Sequence, residues 1–243
     1  MQTEDSVKSP EGKEGLESQS RRSFLKMMMV FAVGAAAIGT MRGGIQSLAR
    51  LPPQALNTFP SLTLVNSSGA PIKTADIPIN SALGVLFPYP LTNEPNFLLR
   101  LGDKTGKDVA VTPQKVSIPD TGGSFLSPGG VGPYKSVVAA SAICQHAGCL
   151  FPQLRFYPPT SSSYPGLIQC GCHGSQYDPY KGFSVVSTPA RSPLPNVALS
   201  YDVTTDTYQA VGMIGPVIFN HSNDLSGGTA AKSSTSTVTE QSA

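Results

Sequence analysis

All four cysteines of this chain and two of its three histidines lie in two short runs of the sequence. The runs are Cys144-Gln145-His146-Ala147-Gly148-Cys149 and Cys170-Gly171-Cys172-His173-Gly174-Ser175. Thiolate and imidazole groups are ligands that zinc, copper and iron–sulfur centres use. The concentration of both ligand types in two runs therefore predicts a metal centre.

These ligand types are compatible with more than one kind of centre. Four cysteines could form an all-cysteine zinc or iron–sulfur site, and two cysteines with two histidines could form a tetrahedral zinc site. Zinc usually takes its cysteines as a C-x2-4-C pair with the histidines paired elsewhere, whereas each run here offers one cysteine and one histidine and has a spare cysteine. A two-iron cluster with cysteines on one iron and histidines on the other matches that stoichiometry better. Two plain disulfides would leave both histidines without a role.

The two runs resemble the C-x-H-x-G-C and C-x-C-H-x-G-S signature of Rieske [2Fe–2S] proteins of the cytochrome bc/b6f type, and the resemblance covers about 137–203. It implies one [2Fe–2S] cluster whose buried iron is bound by Cys144 and Cys170. The outer iron would be bound by His146 and His173.

The same resemblance implies roles for four further residues. Cys149 and Cys172 would form a disulfide that holds the two ligand loops together. Ser175 corresponds to the serine whose hydroxyl binds a bridging sulfide, and Tyr177 to the tyrosine that binds a ligand cysteine sulfur. Because both donors stabilise the more negative, reduced cluster, they imply a high reduction potential for this type of cluster.

Three other segments near these runs lead to smaller predictions. The run Thr188-Pro189-Ala190 resembles the proline loop, usually G-P-A, that shields the cluster, with threonine in place of glycine. The long spacer between the two runs predicts an inserted loop over Arg155–Pro165. His221 stands alone beside a polar tail and is predicted to be a solvated surface residue.

The N-terminal part of the chain resembles an export signal. Ser20-Arg21-Arg22-Ser23-Phe24-Leu25-Lys26 matches the twin-arginine motif S-R-R-x-F-L-K, and the mostly apolar run Met27–Met41 follows it. Ser47-Leu48-Ala49 is only a mediocre cleavage site, and Rieske subunits of bc-type complexes keep this segment as an anchor. We therefore expect a single-pass anchor in the plasma membrane, with the N-terminus in the cytoplasm because the positive residues precede the span.

Composition favours β-structure and excludes a nucleic-acid-binding role. The 243 residues carry a formal charge of +2, only 13% are charged, and no basic stripe is interleaved with aromatic residues. With Gly 24, Pro 22 and no Trp, we expect many short strands and turns. The β-prone runs are Leu62–Val65, Leu83–Phe87, Phe97–Leu101, Val109–Val111, Lys135–Ile143, Leu167–Gln169, Val197–Val203, Tyr208–Gly212 and Val217–Phe219.

These runs predict an all-β fold, an antiparallel sandwich or barrel, into which a cluster-binding subdomain of about 140–192 is inserted. Ser124–Gly132 is interpreted as a Gly/Pro-rich connection. The predicted organisation is a disordered cytoplasmic segment (1–20), the signal and anchor (21–48), a tether (49–60), the Rieske domain (61–221) and a disordered tail (222–243).

The function implied by the resemblance is that of the electron-transfer subunit of a membrane quinol-oxidising complex, rather than an enzyme on its own. His173, with His146 beside it, would accept a hydrogen bond and a proton from quinol. The partners would be a b-type cytochrome, a downstream cytochrome or oxidase subunit, and the bilayer. Two alternatives remain open: the Rieske subunit of an exported molybdenum oxidase of the arsenite oxidase type, and an exported binding module stabilised by zinc or disulfides.

Overall fold

The computed structural model describes residues 56–57, 59–219 and 233–242. Among these residues the secondary structure is β-strand, with 3₁₀ turns at Thr74–Asp76 and Pro179–Lys181 and no α-helix. In chain order the strands are β1 (Leu56–Asn57), β2 (Leu62–Val65), β3 (Gly84–Pro88), β4 (Pro95–Arg100), β5 (Gln114–Ile118), β6 (Gly123–Ser127), β7 (Val137–Ser141), β8 (Leu154–Phe156), β9 (Ile168–Cys170), β10 (Gln176–Asp178), β11 (Ser184–Ser187), β12 (Asn196–Asp202), β13 (Thr207–Ile214), β14 (Thr235–Thr237) and β15 (Thr239–Gln241).

One large sheet forms the base of the domain. Its strands follow the order β14-β2-β13-β12-β7-β4-β3-β15, and β1 adds to β13. Neighbours are antiparallel except β14, which runs parallel to β2. Because β14 and β15 are consecutive in the chain, residues 235–241 pass from one edge of the sheet to the other and nearly close it. The Ser236 hydroxyl supports this closure by donating a hydrogen bond to the Pro88 carbonyl at 2.7 Å.

The central strands β3, β4 and β7 of this sheet are buried on both faces, which explains their mostly apolar sequences. Along β7, Val137 and Ala139 join an inner cluster that includes Leu98 of β4. Val138 and Ala140 join a second cluster on the opposite face. Because side chains alternate between the two faces of a strand, β7 contributes side chains to both hydrophobic clusters. Full burial of one such valine or leucine contributes roughly 1.5–3 kcal/mol.

A smaller antiparallel sheet of order β11-β10-β9-β8 contains the second ligand run and covers the outer face of β7 and β4. A separate hairpin, β5–β6, packs through Val116 and Phe125 against Ala198 and Ile214 of the base. The second core therefore lies between the base and the small sheet, and it continues directly into the buried cysteines Cys144 and Cys170.

The all-β prediction is confirmed, and several details differ. The Gly/Pro-rich segment predicted as a connection begins inside β6, and the β5–β6 hairpin was not predicted. Val109–Val111 is not a strand, because its backbone contacts go to separate segments: Val109 N donates to the Leu101 carbonyl and Val111 N to the Lys135 carbonyl. Val217–Phe219 is not a strand either. The insertion predicted over Arg155–Pro165 begins within β8 and forms the β8–β9 hairpin loop.

Two predicted boundaries need correction. The tail predicted as disordered contains β14 and β15, because its Thr and Ser residues pair with both edges of the base sheet. Leu56–Asn57, predicted within the tether, pairs with Met213 and Ile214 of β13. The anchor (21–48), the cytoplasmic segment and His221 lie outside the described residues. Within the described part of the chain, no helix has the length and apolarity needed to cross a bilayer.

The turn between β3 and β4 holds a buried carboxyl group whose pKa predicts a pH effect on stability. Glu94 is 1% exposed, and burial raises the pKa of its side chain to about 7, compared with roughly 4.3 in an unfolded chain. The folded state therefore binds this proton more tightly than the unfolded chain. This contribution to stability is fully present below pH about 4 and is lost as pH rises through about 7.

We expect Glu94→Gln to remove that pH dependence. Between pH about 4 and about 7, the free energy of unfolding of the wild type should fall by about 3 kcal/mol relative to the variant. Denaturant titrations of both proteins across this range measure the difference. Glu240→Gln, at an exposed position of β15, is the matched control and should follow the wild type. Parallel curves for Glu94→Gln and the wild type would contradict the expectation.

Candidate metal centre

The first ligand run forms a tight loop directly after β7. Cys144 N donates to the Cys149 carbonyl at 3.0 Å, and Gly148 N donates back to the Cys144 carbonyl at 2.9 Å. Gly148 has φ +71, in the left-handed region that favours glycine. This pair of hydrogen bonds places Cys144 at the buried base of the loop and the residues that follow at its outer rim.

The second ligand run, between β9 and β10, repeats the same geometry. Cys170 N donates to the Ser175 carbonyl at 2.8 Å, and Gly174 N donates to the Cys170 carbonyl at 2.9 Å. Gly174 also has a positive φ, +89. The two loops are thus equivalent in their hydrogen bonding, with Cys144 and Cys170 at matching positions.

A disulfide joins the two loops, as predicted. Cys149 and Cys172 are bonded, with their Cα atoms 6.9 Å apart. Cys144 and Cys170 are both buried and form no disulfide. The sulfur atoms of Cys149, Cys170 and Cys172 lie within 4.8 Å of one another. Because two of those three sulfurs are bonded together, Cys170 alone among them offers a free thiolate in this state.

The two histidines lie side by side at the rim. The ring centroids of His146 and His173 are 4.8 Å apart, and the ring planes are at 81°. His173 is exposed and His146 is half-buried. The Nδ1 atom of His146 is buried and has no hydrogen-bond partner in the described part of the chain. A buried polar nitrogen without a partner is costly, so this atom has the character of a metal ligand.

The electrostatics of the buried thiols also favour a metal. Burial raises the pKa of the Cys170 thiol; the backbone N–H groups of Cys172 and His173 oppose this effect, and a hydrogen bond with Cys144 adds to it. A thiolate here would be unstable without a cation to compensate its charge. Two buried thiols and two adjacent imidazoles form a donor set that fits an iron–sulfur centre with mixed ligands.

Tyr177 lies beneath the first loop in a defined orientation. Its hydroxyl oxygen accepts a hydrogen bond from Gln145 N at 3.1 Å and lies 3.3 Å from Cys144 Sγ. Because the oxygen already accepts from the backbone, its proton is left to point at the sulfur. Burial, followed by the nearby Cys144, raises the pKa of Tyr177, so the hydroxyl stays protonated as a donor.

Ser175 makes a contact that sequence reasoning missed. Its buried hydroxyl oxygen accepts a hydrogen bond from Ala190 N at 3.0 Å, which ties the loop Thr188-Pro189-Ala190 to the second ligand loop. The hydroxyl proton remains free to donate elsewhere. The two residues are 15 positions apart in different loops, so no local spacing pattern could have indicated the contact.

The part of the chain that contains both ligand loops is similar to known proteins. A family model described as the Rieske [2Fe-2S] domain matches residues 103–198, which contain both ligand loops. The soluble domain of the Rieske protein II (soxF) from Sulfolobus acidocaldarius is 30% identical over 70% of this chain and 85% of that chain, with a TM-score of 0.48. The chain belongs to the Rieske [2Fe–2S] family. Its Rieske domain is an electron-transfer domain that holds one [2Fe–2S] cluster, rather than a module stabilised only by zinc or disulfides.

Proposed function

We propose that this Rieske protein is the electron-transfer subunit of a membrane complex that oxidises quinol, with the bc/b6f arrangement of ligands. In this proposal the thiolates of Cys144 and Cys170 and the imidazoles of His146 and His173 would hold the cluster. The observation that carries the proposal is that the two kinds of ligand lie on opposite sides of the site. Both free thiols are buried, whereas the adjacent imidazoles lie at the rim and His173 is exposed.

Buried thiols with imidazoles at the rim suit a reaction with a small hydroxyl-bearing reductant. When bound, the cluster accepts and releases one electron at a time. The buried Nδ1 of His146 points away from solvent, which leaves Nε2 of that ring to hold a proton at the rim. The exposed imidazole of His173 accepts a hydrogen bond from a quinol hydroxyl and then its proton. An anchor over 21–48, exported by the twin-arginine route, would hold the domain on the extracytoplasmic side of the plasma membrane.

The surrounding residues hold the two ligand loops and the proline loop in place. The disulfide clamps the rim of both loops, and the hydrogen bond from Ala190 to Ser175 holds the proline loop in place. Together with the hydroxyl of Tyr177 beside Cys144, these features favour the quinol-oxidising type over a subunit of a molybdenum oxidase. Because Tyr177 and Cys144 are both buried, a hydrogen bond between them is stronger than it would be in water.

Electron paramagnetic resonance on dithionite-reduced native membranes tests the proposal. We expect a Rieske signal in the membrane fraction that shifts when an inhibitor of a quinol site is added, and co-purification of the protein with b-type haem. An unshifted signal together with a molybdopterin-containing partner would overturn the proposal and support the molybdenum oxidase alternative.

The contact between Tyr177 and Cys144 predicts an effect on the reduction potential. Tyr177→Phe removes a donor that stabilises the reduced state, so the midpoint potential should fall by about 40 mV, which corresponds to about 1 kcal/mol. A redox titration followed by electron paramagnetic resonance measures this value.

Tyr180→Phe is the matched control for that measurement. The Tyr180 hydroxyl donates instead to the Gly102 carbonyl at 2.7 Å, so the control should leave the potential unchanged. Equal potentials for the wild type and Tyr177→Phe would show that this hydroxyl does not act on the cluster.

A further inference from the structure

The cysteine sulfur atoms of this site lie closer together than they would need to if two of them only bound a cluster. Those of Cys149, Cys170 and Cys172 lie within 4.8 Å of one another, and Cys144 is buried at the base of the first ligand loop. Three of the four cysteine sulfurs of the chain therefore form one group, and the fourth belongs to the same pair of loops. In a tetrahedral zinc–thiolate site, Zn–S bonds of about 2.3 Å put the sulfurs about 3.8 Å apart. For these three sulfurs, the observed separations need only small side-chain shifts to reach that geometry.

The disulfide is what prevents this group from acting as one site. It removes Cys149 and Cys172 from the set of available ligands. Cys172 is exposed and Cys149 is half-buried, so the bond is open to attack by a thiol reagent from solvent. Reduction would leave both sulfurs beside the buried Cys170, because each is held by its own hydrogen-bonded loop.

We propose that reduction of the Cys149–Cys172 disulfide converts the four cysteines into a mononuclear thiolate site for a soft divalent metal ion of the zinc class. A dithiol supplies the two electrons: the S–S bond breaks, two thiols form, and the dithiol becomes a disulfide. Metal binding then displaces the thiol protons into solvent. Cys149, Cys170 and Cys172 are three of the ligands, and Cys144 is the fourth.

The state of the disulfide therefore selects the metal that this site accepts. With the disulfide intact, two thiols and two imidazoles remain, which is the donor set of a Rieske cluster. With the disulfide reduced, four thiolates can enclose a single ion and exclude both histidines. This inference does not depend on the quinol-oxidising role, since it concerns metal binding by the chain alone.

Cadmium titration of the full-length, metal-free protein tests the inference. One sample keeps the disulfide, and the other is reduced with a phosphine and handled without oxygen. The thiolate-to-cadmium charge-transfer absorption reports binding. We expect one cadmium ion per reduced chain, and affinity on the order of 100-fold or more weaker with the disulfide intact, because two of the four ligands are then missing. Equal affinity of both samples would overturn the inference.

Two double variants distinguish a site of four thiolates from a site of two cysteines and two histidines. The Cys149→Ser, Cys172→Ser double variant has no disulfide, like the reduced wild type, but it also lacks two thiols. It should therefore bind cadmium as weakly as the protein whose disulfide is intact. His146→Ala with His173→Ala keeps all four thiols and should bind tightly after reduction. The opposite ranking would assign cadmium to the mixed site and overturn the inference.

Circular dichroism tests whether the site belongs to the folded protein. The reduced wild type with one cadmium ion bound should keep the β-sheet spectrum of the intact protein. Cadmium binding that occurs only with loss of that spectrum would show that an unfolded chain supplies the thiolates, and would overturn the inference.

Discussion

Replacing Cys170 by serine is expected to abolish the [2Fe–2S] cluster. The Cys170 thiol is buried at the base of the second loop, and a serine hydroxyl is a poor substitute for a thiolate on iron. Cys149 and Cys172 cannot replace it, because the disulfide consumes both of their sulfurs. Iron and labile sulfide in the purified variant should fall to less than about a tenth of the wild-type content, since one missing ligand opens the site.

The matched control removes thiols from the same two loops without removing a proposed ligand. The Cys149→Ser, Cys172→Ser double variant should still bind iron after reconstitution. It loses the clamp between the loops, across a sequence separation of 23 residues, and its free energy of unfolding should fall by about 3 kcal/mol. Full iron content in Cys170→Ser, or no iron at all in the double variant, would contradict the proposed ligand assignment.

Replacing Gly130 by alanine is expected to destabilise the whole domain. An added Cβ would lie 2.0 Å from the Lys135 carbonyl oxygen and 2.7 Å from its carbonyl carbon, both of which are backbone atoms that cannot rotate away. Gly130 N also donates to the Val111 carbonyl, and Lys135 O accepts from Val111 N. The clash therefore falls on backbone atoms that are already held by hydrogen bonds. This turn leads into β7, and Cys144 lies just after the end of that strand.

The expected loss for Gly130→Ala is about 3 kcal/mol or more, because the backbone itself must move. Thermal and denaturant unfolding measure this value. Gly123→Ala is the control: its Cβ would meet only the Thr121 hydroxyl oxygen at 3.2 Å, at the end of a side chain that can rotate. That variant should lie within about 1 kcal/mol of the wild type. Equal stability of the two variants would show that the turn can adjust.

The same turn illustrates how the fold supports the site. β7 is buried on both faces and ends just before the first ligand loop, so movement of the strand would move Cys144 relative to Cys170. The second core joins these cysteines to the small sheet without a gap, because Tyr177 and the apolar residues of β8 and β9 belong to the same cluster. Stability of the core and geometry of the metal centre are therefore linked.

Much of the site could be predicted from the sequence, because the candidate ligands lie close together along the chain within each run. Ligand type and spacing within each run indicated a metal centre, and the resemblance of both runs implied the cofactor and the disulfide between Cys149 and Cys172. Strands with strong apolar character, such as Leu62–Val65, were also predicted correctly, since their buried residues, here Leu62, Leu64 and Val65, are apolar.

Other features depended on contacts between distant segments. The polar run at 235–241 becomes two strands only because the base sheet offers two free edges to pair with. The β5–β6 hairpin forms because Val116 and Phe125 pack on the base. The hydrogen bond from Ala190 to Ser175, and the approach of the sulfurs of Cys149, Cys170 and Cys172, likewise join separate loops.

The amino-acid sequence by itself therefore determined which chemical groups this protein brings to a metal, since those groups are recognisable by type and spacing. Only the tertiary structure decided which of them are buried, which are exposed and which segments close the sheet. The physical reason is that burial and strand pairing depend on partners far away in the chain, and short-range patterns carry no information about those partners.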